Sequence, residues 1–413
     1  MKMKFLVNLL VVGLLVVGVV NADDSSIDSS DDTSIEEETS ISDALDTGLT
    51  EFTLNLYKKL IDSSDNLVLS PYSIRLALAA VYNFVSDETM QTNIKDILKL
   101  QAHELNPNNE FIKYKSNSFV RIANKVVTNS AKKLASNFQT KLAEVGLSAT
   151  EVDLSNKAAT VTEINRWVEN VTSSLIKEIV KEEDITDDLE MLLLNAVTFK
   201  AGWEEPFKKD NTYETDFTLA DGTQRKVDMM RRYNGKFRID ETTIPNVQLL
   251  ELPYEDQSDA VMWIVLPNEG KSFSEVVQNL DVTKLNEIDQ QMYERTVERV
   301  EIPRFKIENR VEGKGHLEAL GLNIFSRGGI SIYNDRNSDL DDIKQDAFIN
   351  VNEEGTEAAA VTRVKFGVRS SMSRRIPLTF ICNRPFLYMV KIKSTKQILY
   401  IGHYTKPEEN KMQ

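Results

Sequence analysis

The stretch "EEGTEAAAVTRVKFGVRSSMSRR", residues 353–375, combines the composition of an exposed segment with the side-chain pattern of a strand. Between residues 356 and 366 all charges lie on alternate positions, and the positions between them are uncharged: Thr356, Ala358, Ala360, Thr362, Val364 and Phe366. Because side chains on a strand alternate between the two faces of a sheet, this spacing predicts one buried face. No proline interrupts the stretch, and Gly355 provides backbone freedom where a strand would have to turn. The segment therefore suits both an exposed loop and the interior of a sheet.

Composition and charge argue against several classes of function. The chain of 413 residues carries a formal net charge of −15 and has a sequence pI near 4.9. Nucleic-acid and anionic-membrane binders usually present basic surfaces, so we expect neither partner. A single cysteine, Cys382, excludes an intramolecular disulfide. It lies in the apolar run "LTFICNRPF", where we expect a buried small side chain.

The first 22 residues have the pattern of a secretory signal peptide. Two lysines precede an apolar run over residues 5–20, and the small residue Ala22 favours cleavage before Asp23. The run is shorter than the ~20 residues that cross a bilayer, so a membrane anchor is the weaker alternative. We therefore expect a secreted, extracellular protein.

Residues 23–48 form an acidic tail. Ten acidic residues and no lysine or arginine occur between positions 23 and 46. Such a tract cannot bury enough apolar surface to fold, which predicts disorder. The tail either keeps the protein soluble or attracts a basic partner surface.

Metal and enzyme chemistry have little support in the sequence. The three histidines, His103, His316 and His403, have no partners at metal-ligand spacing, and no nucleophile-elbow, phosphate-loop or dinucleotide-binding motif occurs. We therefore expect no metal, no cofactor and no enzyme activity. A hydrolase whose triad is assembled from distant positions stays an alternative.

The secondary-structure pattern changes along the chain from helical to extended. Apolar residues at helical spacing fill 49–60, and Ser70 followed by Pro71 is typical of a helix start. Further on, runs such as "LEMLLLNAVTFKAGW" (189–203) and "AVMWIVLPNE" (260–269) predict strands. Helices first and strands later indicate an α+β fold with more than one sheet.

Eight stretches resemble serpin landmarks and follow in the family's order: "NLVLSPYSI" (66–74), "LLNAVTFKAGWEEPF" (193–207), "LELPYE" (250–255), "MWIVLPNE" (262–269), "VEIPRFKIE" (300–308), "ALGLNIFS" (319–326), "INVNEEGTEAAAVT" (349–362) and "NRPFLYMVK" (383–391). The resemblance extends over residues 50–407. It implies a single serpin domain over 49–413, with three β-sheets, eight or nine helices and an exposed reactive-centre loop at about 353–377.

The resemblance implies an inhibitor rather than an enzyme. In serpins a target serine protease attacks the loop as a substrate, and the cut loop enters the large sheet as an added strand. The protease is thereby trapped as an acyl-enzyme. We predict a secreted, monomeric suicide-substrate inhibitor. The alternative is a non-inhibitory serpin that serves as a carrier, storage protein or chaperone.

The reactive bond is predicted between Arg369 and Ser370, by counting along the loop from Gly355 as in other serpins. An arginine there matches a protease pocket that carries a carboxylate, so the expected partners are trypsin-like serine proteases. Arg374 and Arg375 are the alternative cleavage positions.

The resemblance also assigns residues around the large sheet. The hinge of the loop comprises Glu353, Glu354, Gly355, Thr356, Glu357, Ala358, Ala359 and Ala360. A polar group called the shutter and the entry point called the breach are assigned to Ser70, Ser73, Asn195, Trp203 and Gln345. Gln345 stands where many serpins have histidine. Its amide still donates and accepts hydrogen bonds, so the network can form, but the family's pH behaviour and opening barrier are not carried over to this chain.

Two surface features complete the sequence-based predictions. Asn170 begins the only N-x-S/T sequon, Asn170-Val171-Thr172, and is a candidate glycosylation site. The region in which heparin-binding serpins carry a basic helix offers only Lys113 and Lys115, so we do not expect strong heparin binding.

Overall fold

Two hydrogen-bonded sheets organise the part of the chain that the structure describes. This computed structural model describes residues 47–61, 65–101, 119–144, 147–325, 328–356 and 377–408. The predicted signal peptide and nearly all of the acidic tail lie outside these ranges, as do loop residues 357–376.

Eight α-helices occur within the described ranges: α1 (47–58), α2 (Pro71–Tyr82), α3 (Glu88–Leu98), α4 (Phe138–Glu144), α5 (Lys157–Val171), α6 (Phe273–Gln278), α7 (Val282–Gln291) and α8 (Gly313–Glu318). The predicted start of α2 is confirmed. The Ser73 N–H donates to Ser70 Oγ over 3.3 Å, and Pro71 occupies the first turn, where no N–H is needed. The apolar face of α1 is buried, with Leu49 and Phe52 only 1% and 0% exposed.

Most strands lie in the half of the chain that the sequence predicts to be extended, and three lie before it. The strands are β1 (Leu67–Leu69), β2 (Val120–Asn129), β3 (Ser148–Val152), β4 (Met191–Phe199), β5 (Ala201–Gly202), β6 (Tyr213–Thr218), β7 (Gln224–Asp240), β8 (Val247–Pro253), β9 (Ala260–Pro267), β10 (Tyr293–Pro303), β11 (Phe305–Glu312), β12 (Asp342–Asn352), β13 (Gly355–Thr356), β14 (Thr379–Ile381), β15 (Phe386–Ile392) and β16 (Ile398–Tyr404). A 3₁₀ helix, Glu182–Asp184, precedes β4.

The strands form one nine-stranded and one seven-stranded sheet. The larger has the order β1-β16-β15-β9-β8-β7-β10-β14, with β6 beside β7. The smaller has the order β3-β2-β4-β12-β13-β5, with β11 beside β12. The resemblance implies three sheets. The described strands form two because the 17-residue β7 continues from its partners β6 and β10 to β8 without interruption.

The predicted α+β class is confirmed. The chain has one cysteine and therefore no internal disulfide, and its buried apolar core provides the stabilisation. Every residue of β4 is buried, as its apolar run predicts. Cys382 is 0% exposed and unpaired, which confirms its predicted role as a small core side chain. Within the described ranges, no helix is long and apolar enough to cross a membrane.

Candidate functional site

The hinge begins as a two-residue strand at one end of the seven-stranded sheet. After β12 the chain turns back tightly, so that Val351 pairs with Thr356 and Asn352 with Gly355. On its other side β13 pairs with Ala201 and Gly202 of β5. Thr356 is 0% exposed, which confirms that it faces inward. The stretch 353–375, which the sequence predicts to suit both a loop and a sheet, is thus already part of the sheet at Gly355 and Thr356.

Gly355 is required by its position between two strands. Its φ of +150° lies in a region that residues with a side chain rarely adopt. A Cβ atom there would lie 2.2 Å from the carbonyl oxygen of Ala201. A larger residue would therefore push β13 away from β5.

Thr356 contacts the first of two stacked aromatic residues. Thr356 Oγ1 lies 2.7 Å from the hydroxyl oxygen of Tyr254, and the Tyr254 ring stacks on Trp203 with centroids 4.4 Å apart. The Trp203 indole N–H donates to the Asn352 carbonyl over 2.9 Å, and its backbone N–H donates to the Glu354 carbonyl over 2.9 Å. Burial raises the pKa of Tyr254 well above its usual value, so its hydroxyl stays protonated.

Trp203, which the resemblance assigns to the breach, thus lies beside the hinge, whereas sequence reasoning missed Tyr254. Tyr254 lies within the quoted motif "LELPYE", but the motif does not mark it as a neighbour of the hinge. Without the pairing of β13, nothing in that motif connects it to the hinge.

The two glutamates before Gly355 anchor the turn. Glu353 is 5% exposed, and its Oε1 accepts a hydrogen bond from Thr212 Oγ1 over 2.7 Å. Arg304 Nε lies 3.6 Å from Glu353 Oε2, and Lys209 Nζ lies 2.8 Å from Glu354 Oε1. The hydrogen bond to Glu354 raises the pKa of Lys209. Thr212, Lys209 and Arg304 were not predicted, because each belongs to a distant stretch of sequence.

The predicted shutter residues lie together where β12 and β4 meet the start of α2. Gln345 accepts a hydrogen bond from the Ser70 N–H over 2.7 Å, and its amide donates to the Ser70 carbonyl and to Asn195 Oδ1 over 2.9 and 2.6 Å. The Asn195 amide donates to Ser73 Oγ and to Asn124 Oδ1. Asn124 was missed, although the register sets it directly beside Asn195. The Gln345 amide thus connects β12 to β4 and α2.

Below the hinge, β12 and β4 are direct neighbours. They pair in parallel from Asp342↔Leu192 to Phe348↔Thr198, and we call this boundary the seam. At the upper end β13 lies between β12 and β5 instead. A strand that continued beyond Thr356 would therefore have to separate β12 from β4 along the seam.

The remaining predicted residues divide into described and undescribed ones. The reactive-bond candidates Arg369, Ser370, Arg374 and Arg375 lie outside the described residues, as do the hinge residues Glu357, Ala358, Ala359 and Ala360. His103, Lys113 and Lys115 also lie outside them.

Asn170 is exposed on α5, and the hydroxyl of Thr172 in its sequon donates to the Val168 carbonyl over 2.7 Å. His403 is 0% exposed between the Tyr57 hydroxyl and the Asp65 carbonyl, at 2.8 Å from each. Among the described residues, no group of three or more acidic, histidine or cysteine side chains is arranged to hold a metal ion.

Comparison with known proteins identifies the class that this fold and hinge define. The family model described as Serpin (serine protease inhibitor) matches residues 47–407. Human Serpin I2 is 29% identical over 375 residues, which cover 87% of this chain and 91% of that protein. This chain therefore belongs to the serpin family, whose members are generally protease inhibitors rather than enzymes.

Solved structures agree with this assignment. Serpin48 of the insect Tenebrio molitor, described as a highly specific serpin, matches with a TM-score of 0.78 at 26% identity, over 90% of this chain and 99% of that chain. Human thyroxine-binding globulin matches with a TM-score of 0.78 over 88% of this chain and 98% of that chain. Its identity of 22% supports a common fold alone.

Proposed function

We propose that this serpin is a secreted suicide-substrate inhibitor of trypsin-like serine proteases, with Arg369–Ser370 as its reactive bond. The observation that carries the proposal is the pairing of Gly355 and Thr356 between β12 and β5. The loop is thereby attached to the seven-stranded sheet at the place where a further strand would begin.

The first step is an ordinary acyl transfer. The protease serine attacks the carbonyl carbon of Arg369, an ester forms to that carbon, and the peptide that begins with Ser370 leaves as the amine. The guanidinium of Arg369 pairs with a carboxylate in the protease pocket. The cut frees the loop from β14, so that it stays attached only through the hinge.

The second step follows from the geometry of the hinge. Residues after Thr356 continue down the seam as a new strand, with Ala358 and Ala360 on the same face as Thr356 because alternate residues share a face. Small uncharged side chains on that face enter the sheet interior at little desolvation cost. Trapping requires this insertion to be faster than hydrolysis of the ester.

Incubation with a panel of trypsin-like proteases tests the proposal. We expect a covalent complex that survives denaturing electrophoresis and a released peptide that runs from Ser370 to Gln413. A peptide beginning at Arg375 or Ile376 would move the reactive bond. Arg369→Ala is the matched control and should abolish complex formation with arginine-specific enzymes.

The alternative is a non-inhibitory serpin that serves as a carrier, storage protein or chaperone. A carrier would be cleaved in the loop without forming a complex with any protease of the panel, and that outcome would overturn the proposed function. Secretion is tested separately: after expression in a eukaryotic secretory host, the protein in the medium should begin at Asp23.

A further inference from the structure

A group of charged contacts crosses the seam on the sheet face opposite the shutter. Lys344 of β12 and Arg310 of β11 belong to two strands that pair with each other. Both contact Asp184, which lies in the 3₁₀ helix before β4. Lys344 Nζ lies 2.8 Å from Asp184 Oδ1, and Arg310 Nη1 lies 4.0 Å from Asp184 Oδ2. Arg310 also donates to the carbonyl of Glu178 over 2.9 Å. We call these contacts the clasp.

The segment that carries Asp184 is anchored mainly on the β4 side of the seam. Its apolar side chains form one buried cluster with three residues of β4 and one of β12: Ile176, Ile179, Val180 and Ile185 with Leu192, Leu194, Ala196 and Phe348. The segment then continues directly into β4 through residues 185–190. Asp184 therefore belongs to one side of the seam, whereas Lys344 and Arg310 belong to the other.

Insertion of a strand would pull the clasp apart. Adding one strand between β4 and β12 widens the sheet there by about 4.8 Å, the spacing between neighbouring strands. A 2.8 Å contact between Lys344 and Asp184 does not survive that displacement unless the segment leaves β4. The Lys344 and Asp184 side chains are only 6% and 10% exposed, so water screens the contact weakly.

We propose that the clasp sets the rate at which the seam opens, and so the partition of a cleaved molecule between trapping the protease and releasing it. This inference rests on the proposed function. Asp184, Lys344 and Arg310 are positioning residues in it, because none of them touches the reacting bond.

The chain offers a matched pair of substitutions. Asp184→Asn removes the carboxylate that pairs with Lys344 across the seam, and the amide oxygen still accepts from the Lys181 N–H, which is 2.7 Å from Asp184 Oδ2. Lys344 keeps Glu312 at 3.1 Å and Asp342 at 3.7 Å, both on its own side of the seam. Glu312→Gln removes one of these same-side partners and is the control.

The experiment measures strand insertion without a protease. A synthetic peptide of residues 356–369 is incubated with the full-length protein, and its incorporation is followed by native electrophoresis and by the rise in melting temperature. We expect Asp184→Asn to take up the peptide about five- to tenfold faster than the parent. Glu312→Gln should stay within about twofold of the parent, and Asp184→Glu should restore the parental rate.

The same variants are then compared with the protease that the parent inhibits. Asp184→Asn should leave the rate of association unchanged and lower the number of inhibitor molecules consumed per protease trapped. The proposed role of the clasp would be wrong if Asp184→Asn took up the peptide at the parental rate, or if Glu312→Gln accelerated uptake as much as Asp184→Asn. The proposed inhibitory function would still stand in that case, provided that the parent forms a complex with a protease. A parent that forms no protease complex and takes up no peptide would overturn the proposed function, and the clasp with it.

Discussion

Replacing Thr356 with arginine tests the insertion mechanism at its first step. Thr356 is 0% exposed between Val351 and Ala201, with its hydroxyl 2.7 Å from that of Tyr254. A guanidinium in that position would be buried without a partner, which costs several kcal/mol. The alternative is that Gly355 and residue 356 leave the sheet. That relaxation deprives the buried Tyr254 hydroxyl of its partner, at about 1–3 kcal/mol, and breaks the β13 pairings as well.

If residue 356 has left the sheet, the guanidinium must be buried again before the rest of the loop can enter the seam, and the cost of that step adds to the barrier of insertion. An added barrier of ~1.4 kcal/mol slows insertion about tenfold, and ~3 kcal/mol slows it by more than a hundredfold. Hydrolysis of the ester is chemistry within the protease and keeps its rate. We therefore expect Thr356→Arg to be cut at Arg369 at a near-normal rate while most of the protease is released active.

The assay titrates a fixed amount of protease with increasing inhibitor and counts the molecules needed to abolish activity. That number should rise at least about tenfold for Thr356→Arg, with cleaved inhibitor replacing the covalent complex on a denaturing gel. Thr356→Ser keeps the hydroxyl and should behave like the parent. Glu357→Arg changes the next residue, which alternation predicts to face outward, and should be far milder. If Thr356→Arg traps protease as efficiently as the parent, strand insertion is the wrong mechanism for this protein.

Three further outcomes are expected. Burial lowers the pKa of His403 from 6.5 to about 4, so its contribution to stability is complete above pH 6.5 and is lost as the pH falls through 4. This shift corresponds to about 3 kcal/mol, so the melting temperature of His403→Gln should fall less steeply than that of the parent over this range. Parallel plots of melting temperature against pH for the two proteins would contradict this. Gln345→Ala leaves buried hydrogen-bonding groups of Ser70 and Asn195 without a partner, so it should lower the free energy of unfolding by about 2–4 kcal/mol in urea titrations. Gln345→Glu keeps a side chain of similar shape, so comparing the two variants separates the loss of the amide from the loss of side-chain volume. Asn170 is exposed on α5, so protein from a eukaryotic secretory host should lose mass on deglycosylation, and an unchanged mass would exclude a glycan.

The inward face of the hinge was predictable from the sequence because it depends on local alternation alone. Thr356 begins the uncharged set of positions, and the structure buries it. Gly355 was predictable for a similar reason, since few residues other than glycine adopt its backbone conformation. Such features require no knowledge of distant residues.

The partners of these residues were not predictable by the same reasoning. Tyr254 lies 102 positions from Thr356, and Thr212 lies 141 positions from Glu353. These contacts depend on which strands are neighbours, and a period-2 pattern carries no information about neighbours. Ser70, Asn195 and Gln345 were assigned through family resemblance, which supplies the strand order that local patterns lack.

The described arrangement explains why an inserted loop would be favoured and yet slow to form. Along the seam, β4 and β12 share a single ladder of seven residue pairs, and opening it breaks that ladder together with the hydrogen bond from Gln345 to Asn195. A strand placed between them pairs on both sides, so the completed sheet contains two ladders where one existed. In the proposed insertion the loss comes first and the larger gain follows, so the closed seam would be held by a barrier rather than by its free energy. Thr356 already lies between β12 and β5 at the upper end, so insertion extends an existing strand and does not have to begin a new one. Substitutions at the hinge and along the seam should therefore change the rate of insertion while leaving the attack on Arg369 unaffected.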